Sequence, residues 1–225
     1  MPKKLLLFDI DQTLIKTMKL ASDPWKLTFE EVYGFENSTG LKSFDTSGKT
    51  HKRLVVEGLF HHGITREVDS KEIQHFLKIL EKNYSDLLGH GEVELFPKVK
   101  EILTSLSECG HFLGLVTGNT ERIAYEKLKT GGIDSFFRIG GFGDRAMDRE
   151  QLVEHALEGA KSIFQRKFLN NDIFVIGDTP LDVESAKYHN LQAVGVTTGK
   201  YSKSELEKGG ANFVLDELSD IRDIL

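Results

Sequence analysis

The chain has 225 residues, 39% of them hydrophobic and 28% charged, with a formal net charge of −6. That balance fits a soluble globular protein with a proper core, and the acidic surplus argues against a nucleic-acid partner, because phosphate contact needs a basic face. Cys109, the only cysteine, excludes an intramolecular disulfide or a cysteine zinc site and fits a reducing cytoplasm. No apolar run reaches the ~18 residues of a membrane helix, and "MPKKLLLFDIDQ" meets a carboxylate too early for a signal peptide.

The first predicted element is a strand at 4–9, where Leu5, Leu6, Leu7 and Phe8 make the continuous apolar run of a strand buried on both faces. It ends in Asp9 and Asp11. Residues two apart on an extended chain share a side, and like charges held close need a cation or a shared proton between them. From 16 to 92 no buried strand is evident, and amphipathic helical patterns flank a polar, glycine-bearing stretch at 37–53. The clearest helix there covers 69–88, with Ile73, Phe76, Leu77, Leu80 and Tyr84 on one face and Asp69 or Ser70 as its cap.

Further strands are predicted at 111–118, 135–141, 172–178, 191–198 and 211–216, alternating with helices at 98–109, 120–130, 149–161, 181–189, 203–208 and 217–224. Such alternation builds an α/β fold, a doubly wound parallel sheet whose ligands bind at the carboxyl ends of the strands. Asp9, Thr117, Asp178 and Thr197 close four of the strands, so the chemistry is expected there. The expected organisation is a core of residues 1–15 and 93–225 with a helical insertion, 16–92, after the first strand.

Three stretches each follow an apolar strand: "DIDQT" at 9–13, "VTGN" at 116–119 and "IGDTPLDVESA" at 176–186. In that order they resemble the haloacid dehalogenase superfamily of aspartate-nucleophile phosphohydrolases. With "GGFGDRAMDREQL" added, they are similar to its phosphoglycolate-phosphatase-like branch. The resemblance spans nearly the whole chain and implies a Rossmann-like core, with a mobile cap where the insertion falls.

The resemblance also assigns roles. Asp9 is the nucleophile that forms an aspartyl-phosphate, splitting one hard displacement into two easier ones. Asp11 is the acid and base, and its backbone carbonyl binds metal. Asp178 is the second metal carboxylate, Asp182 supports the site from behind, and an oxygen donor set of this kind suits Mg²⁺. Thr117, Gly118 and Asn119 offer a hydroxyl and amides as a phosphate cradle, although Thr117 also reads as the cap of the helix near 120. Thr13 is expected to shape the turn.

The family places a basic residue, usually Lys before Pro, after the third strand. No Lys-Pro occurs here, and Arg145 and Arg149 are the candidates. The branch pattern favours Arg149, which would grip phosphate bidentately, against the plainer reading of a solvated residue in a helix's first turn.

"SGKT" at 47–50 imitates a P-loop, but its leading glycine would fall at Ser43 and no buried strand precedes it. His51, His61, His62, His75 and His90 lack zinc-helix spacing and read as surface or interface residues, with His51 the one whose loop could face the site. The function expected is a Mg²⁺-dependent phosphatase acting on a small phosphorylated metabolite, with 2-phosphoglycolate as the leading guess. The alternatives are a β-phosphoglucomutase-like phosphotransferase, a metal-free 2-haloacid dehalogenase and a non-catalytic binding protein. The insertion is expected to hinge near 15–18 and 89–93, at Gly89 and Gly91. Its loop 48–53, with Lys49 and Thr50, is expected either to contact the substrate's non-phosphate end or to be a solvated polar loop. Oligomeric state is left open.

Overall fold

Leu6 and Phe8 of strand β1 (Leu5–Phe8) face one helical layer while Leu5 and Leu7 face the other, and all four are fully buried. Such two-sided burial requires a central strand, and β1 is central in this computed structural model, which describes residues 3–225 apart from Asn37, Ser43 and His90. His90 and Ser43, named in the sequence reading, therefore lie outside the described residues.

Strand β1 pairs in parallel with β4 (Phe112–Thr117) on one side and β6 (Ile173–Gly177) on the other. The full sheet adds β5 (Gly140–Phe142), β7 (Gln192–Val196) and β8 (Phe213–Leu215) in the order β5-β4-β1-β6-β7-β8, all parallel. Helices α4 (Val99–Glu108) and α5 (Glu121–Thr130) cover one face, while α6 (Arg149–Phe164), α7 (Pro180–Tyr188) and the short α8 (Lys203–Lys208) cover the other. The chain runs outward through β4 and β5, then returns past β1 to build β6, β7 and β8. The order thus reverses around β1, and at such a switch point the loops splay apart to leave a crevice.

Helices α1 (Pro24–Tyr33), α2 (His51–His61) and α3 (Ser70–Leu88) of the insertion share a separate core of Phe29, Val55, Leu59, Phe76 and Leu80, and Ile123 of α5 joins it. The start of α2 docks on the main sheet. The His51 amide donates to the Gly118 carbonyl at 2.7 Å, the Lys52 amide to Gly143 at 2.9 Å, and the Thr50 hydroxyl to Met147 at 2.8 Å. Gly118 permits this approach, since a Cβ there would sit 2.1 Å from the Lys49 carbonyl oxygen.

Four expectations need correction. The two linkers of the insertion are strands, β2 (Ile15–Lys19) and β3 (Glu92–Leu95), paired antiparallel. They escaped a search for apolar runs because the ribbon is half-exposed and held by cross-strand charge pairs, Lys16–Glu94 at 3.0 Å and Lys19–Glu92 at 3.2 Å. The strand placed at 135–141 is a 3₁₀ turn, Asp134–Phe136, followed by β5, and the last predicted helix is a 3₁₀ turn, Leu218–Asp223. Gly89 has ordinary right-handed helical backbone at φ −57°, so its conformation does not call for glycine.

Candidate active site

Three buried carboxylates meet where β1 and β6 end. Asp9 follows β1, and its amide continues the ladder by donating to the Ile176 carbonyl at 2.9 Å. Asp178 follows β6. Asp182, in the first turn of α7, accepts from the Thr179 amide at 3.0 Å and its hydroxyl at 2.6 Å, while the Asp182 amide donates back to that hydroxyl. Gly177 makes room for this, because a Cβ there would lie 2.1 Å from Asp182 Cγ. Carboxylate oxygens of Asp9, Asp178 and Asp182 lie within 4.8 Å of one another.

Arg149 is the cation among them. It starts α6, where a positive charge opposes the helix dipole, yet it is buried, with its guanidinium 2.8 Å from Asp9 and in contact with Asp182. It also donates to the carbonyls of Gly48 at 3.0 Å and Val116 at 3.2 Å, which ties the insertion's loop to β4. Burial works against its charge, but Asp182 and Asp9 outweigh this and raise its pKa. Burial is also the main force lifting Asp9 above the carboxylate range; Arg149 opposes it, and Asp182 and Asp11 add to it. Asp178 has no ion-pair partner among the described residues, and burial followed by the charges of Asp9 and Asp182 pushes it up to about 8.

Asp11 answers to a different cation. Lys127 Nζ lies 2.9 Å from both its oxygens, and the Asn119 side chain donates to it at 2.8 Å. Lys127 also donates to Asn119 Oδ1 at 2.8 Å, and Asn119 donates to the Thr117 hydroxyl at 2.8 Å. Burial would raise the Asp11 pKa, but the Lys127 charge and these hydrogen bonds outweigh it and hold the carboxyl below its ordinary value. The sequence reading passed over Lys127. Its signal was available: in α5, Ile123, Ala124 and Leu128 mark the inward face, and Lys127 falls among them at 3% exposure.

The structure brings Asp9, Asp11, Thr117, Gly118, Asn119, Arg149 and Asp178 to one cavity of about 400 Å³ beneath the insertion, with Asp182 behind it. It does not bring Thr50 there. The Thr50 hydroxyl accepts from the Arg53 amide at 3.2 Å as the cap of α2 and donates to Met147, so its bonding is spent on holding the loop. Its neighbours Lys49 and His51 line the cavity instead. Thr117 does not cap α5, because the Thr120 hydroxyl accepts from the Ile123 amide in that role. Thr13 is fully buried, with no partner for its hydroxyl among the described residues. Arg145 is exposed and pairs with Glu121 and Asp144, away from the carboxylates. His62 is structural, stacked 4.7 Å from Phe29 and bonded to Ser38.

The donor set suits a divalent cation. Asp9, Asp178 and Asp182 together face one guanidinium, and their carboxylate oxygens are the hard ligands such an ion takes.

A family model described as haloacid dehalogenase-like hydrolase matches residues 6–196. The chain belongs to that family. A phosphoglycolate phosphatase of Vibrio vulnificus (strain YJ016) is 24% identical over 225 residues, covering 99% of this chain and 96% of that protein. The pyrophosphatase PpaX of Bacillus mycoides (strain KBAB4) is 24% identical over 221 residues, covering 98% and 95%. Among solved structures, CbbY from Rhodobacter sphaeroides in complex with phosphate matches with a TM-score of 0.71 at 18% identity, covering 98% of this chain and 96% of that one. At that identity the likeness speaks for the fold. The α/β doubly wound sheet and the family membership expected from the motifs both hold. The chain carries three buried acids at the switch point of its sheet. No helix among the described residues is long and apolar enough to cross a membrane.

Proposed function

We propose that the protein is a Mg²⁺-dependent phosphomonoesterase acting on a small phosphorylated metabolite through an aspartyl-phosphate on Asp9. One observation carries the reading: the two aspartates of the opening motif reach the same cavity but are held by separate cations, Asp9 by Arg149 and Asp11 by Lys127. Paired carboxylates with different environments are what a nucleophile and an acid–base group require. The Asp9 and Asp178 carboxylates and the Asp11 backbone carbonyl would hold Mg²⁺, whose charge compensates the dianionic phosphate when bound.

Asp9 attacks phosphorus, the ester P–O bond breaks, and Asp11 gives its proton to the leaving oxygen. Asp11 then takes a proton from the water that releases phosphate and restores Asp9. An arriving dianion beside Asp11 raises its proton affinity against Lys127, which readies it for the first step. Arg149 and the Thr117 hydroxyl, together with the amides that follow it, stabilise the transferring group. The lone, exposed Cys109 suits a reducing cytoplasm.

The resemblance and the name of the Vibrio relative put 2-phosphoglycolate first among substrates to test. The experiment is phosphate release over a panel of phosphoesters with Mg²⁺, for the natural chain and Asp9→Asn. Turnover that Asp9→Asn abolishes supports the reading. Undiminished turnover in that variant overturns it, and full activity in excess chelator overturns its Mg²⁺ dependence.

A further inference from the structure

The cavity holds about 400 Å³, within the ~300–1,000 Å³ of sites that enclose whole small-molecule ligands. Its two halves differ in chemistry. The core half carries the carboxylates and the Thr117 loop. The insertion half presents Met18, Trp25, Leu41, Leu54 and Tyr84, with His51 among them. The His51 ring lies edge-on to Trp25 at 5.1 Å and is stacked on Tyr84 at 6.4 Å, so three aromatic rings form one wall.

Among the described residues three cations reach this cavity, and each already has an acid. Lys49 is 2.6 Å from Glu57, Lys127 is 2.9 Å from Asp11, and Arg149 is 2.8 Å from Asp9. Arg53, in the loop expected to supply positive charge, pairs with Glu57 at 2.8 Å and Asp148 at 3.1 Å. His51 adds no charge: the Thr120 amide donates to its Nδ1 at 3.4 Å, and burial followed by the nearby Lys127 pushes its pKa down to about 3. Thr46 and Ser47 bring hydroxyls only.

We infer that the substrate's non-phosphate part is an uncharged, ring-sized group with an apolar or aromatic face, seated against Trp25, Tyr84 and His51. This rests on the phosphomonoesterase reading and narrows it. A second anion, such as the carboxylate of phosphoglycolate or the far phosphate of pyrophosphate, would be stripped of water against this wall without a free cation to receive it. A neutral ring gains apolar contact and aromatic stacking there and requires no cation of its own. The two relatives named for small, doubly anionic substrates therefore share the core chemistry of this chain but not its selectivity.

The test compares three phosphate esters and one anhydride with Mg²⁺: benzyl phosphate, ethyl phosphate and 2-phosphoglycolate, and pyrophosphate. Benzyl phosphate is expected to exceed 2-phosphoglycolate and pyrophosphate at least tenfold in kcat/KM. Trp25→Leu should shrink the benzyl-to-ethyl ratio at least fivefold. Because Trp25 also packs inside the insertion, binding to the natural protein is measured as well: benzylphosphonate should bind at least tenfold more tightly than phosphonoacetate. Turnover that favours 2-phosphoglycolate or pyrophosphate, or tighter binding of phosphonoacetate, overturns the inference and leaves the phosphatase reading standing. Hydrolysis of no ester at all overturns that reading instead, and the phosphonate comparison still decides what the cavity accepts.

Discussion

Asp9 and Asp11 stand two residues apart, share a cavity and answer to different cations, and that separation governs what single substitutions should do. Asp9→Asn is expected to abolish phosphate release. Asp11→Asn should lower it by the ~10²–10⁴ typical of a lost acid–base group. Lys127→Met should lower kcat by roughly 10–100-fold, because charge-assisted hydrogen bonds of this kind contribute about 1.5–3 kcal/mol. A steady-state assay checks this, and an unaltered kcat would reduce Lys127 to a packing role. The sequence made the acids legible because Asp9 and Asp178 each close an apolar strand, with Asp11 and Asp182 a few residues beyond them. Lys127 was not, since one lysine in a helix is ordinarily solvated and its position shows only when Ile123, Ala124 and Leu128 define the inward face. Arg149 was visible through its motif, but its two carboxylate partners come from β1 and α7, far away in sequence.

At the level of elements, the docked start of α2 carries more than its sequence advertised. Thr50 satisfies an amide of its own helix and a carbonyl of the core. Thr50→Val should therefore cost about 1–2 kcal/mol of stability, the sum of a lost N-cap and a lost hydrogen bond, and leave the ranking of substrates unchanged. Thermal melting together with the ester panel reads both, and a changed ranking would restore Thr50 to the substrate. Most helices were legible from their apolar period; α3 spans Ser70–Leu88 where 69–88 was expected. The strand at 135–141 was misplaced because Phe136, Phe137 and Ile139 look like one apolar run. In fact Phe136 ends a 3₁₀ turn, and Phe137 and Ile139 beyond it serve opposite faces of the sheet.

Across the whole molecule, buried charge makes stability depend on pH and metal together. Asp178 ionises near 3.8 in the unfolded chain and near about 8 in the folded one, so between those values folding retains a proton that unfolding releases. Stability should therefore fall as pH rises through that window. His51 acts in the opposite sense, but only below its ordinary value of 6.5, where the unfolded chain takes up a proton the buried ring refuses. Between pH 6.5 and 8 that opposing effect is absent and Asp9, also lifted by burial, acts in the same direction as Asp178, so metal-free protein should lose at least on the order of 2 kcal/mol. Saturating Mg²⁺ should flatten the decline, because it favours the ionised site. Melting curves in chelator at both pH values measure this, and stability that is flat or rising would mean that Asp178 is ionised in the folded state. The β2–β3 ribbon has a consequence of another kind. Lys19 and Glu92 are register partners, so the chain leaves the core and re-enters it at neighbouring points. Loop-closure entropy grows only slowly with length, and to the sheet the entire insertion amounts to one very long hairpin turn. In genetic terms it is a cassette: exchanging residues 20–91 in frame, even for an Asn-Gly turn, should leave the register of the sheet unchanged.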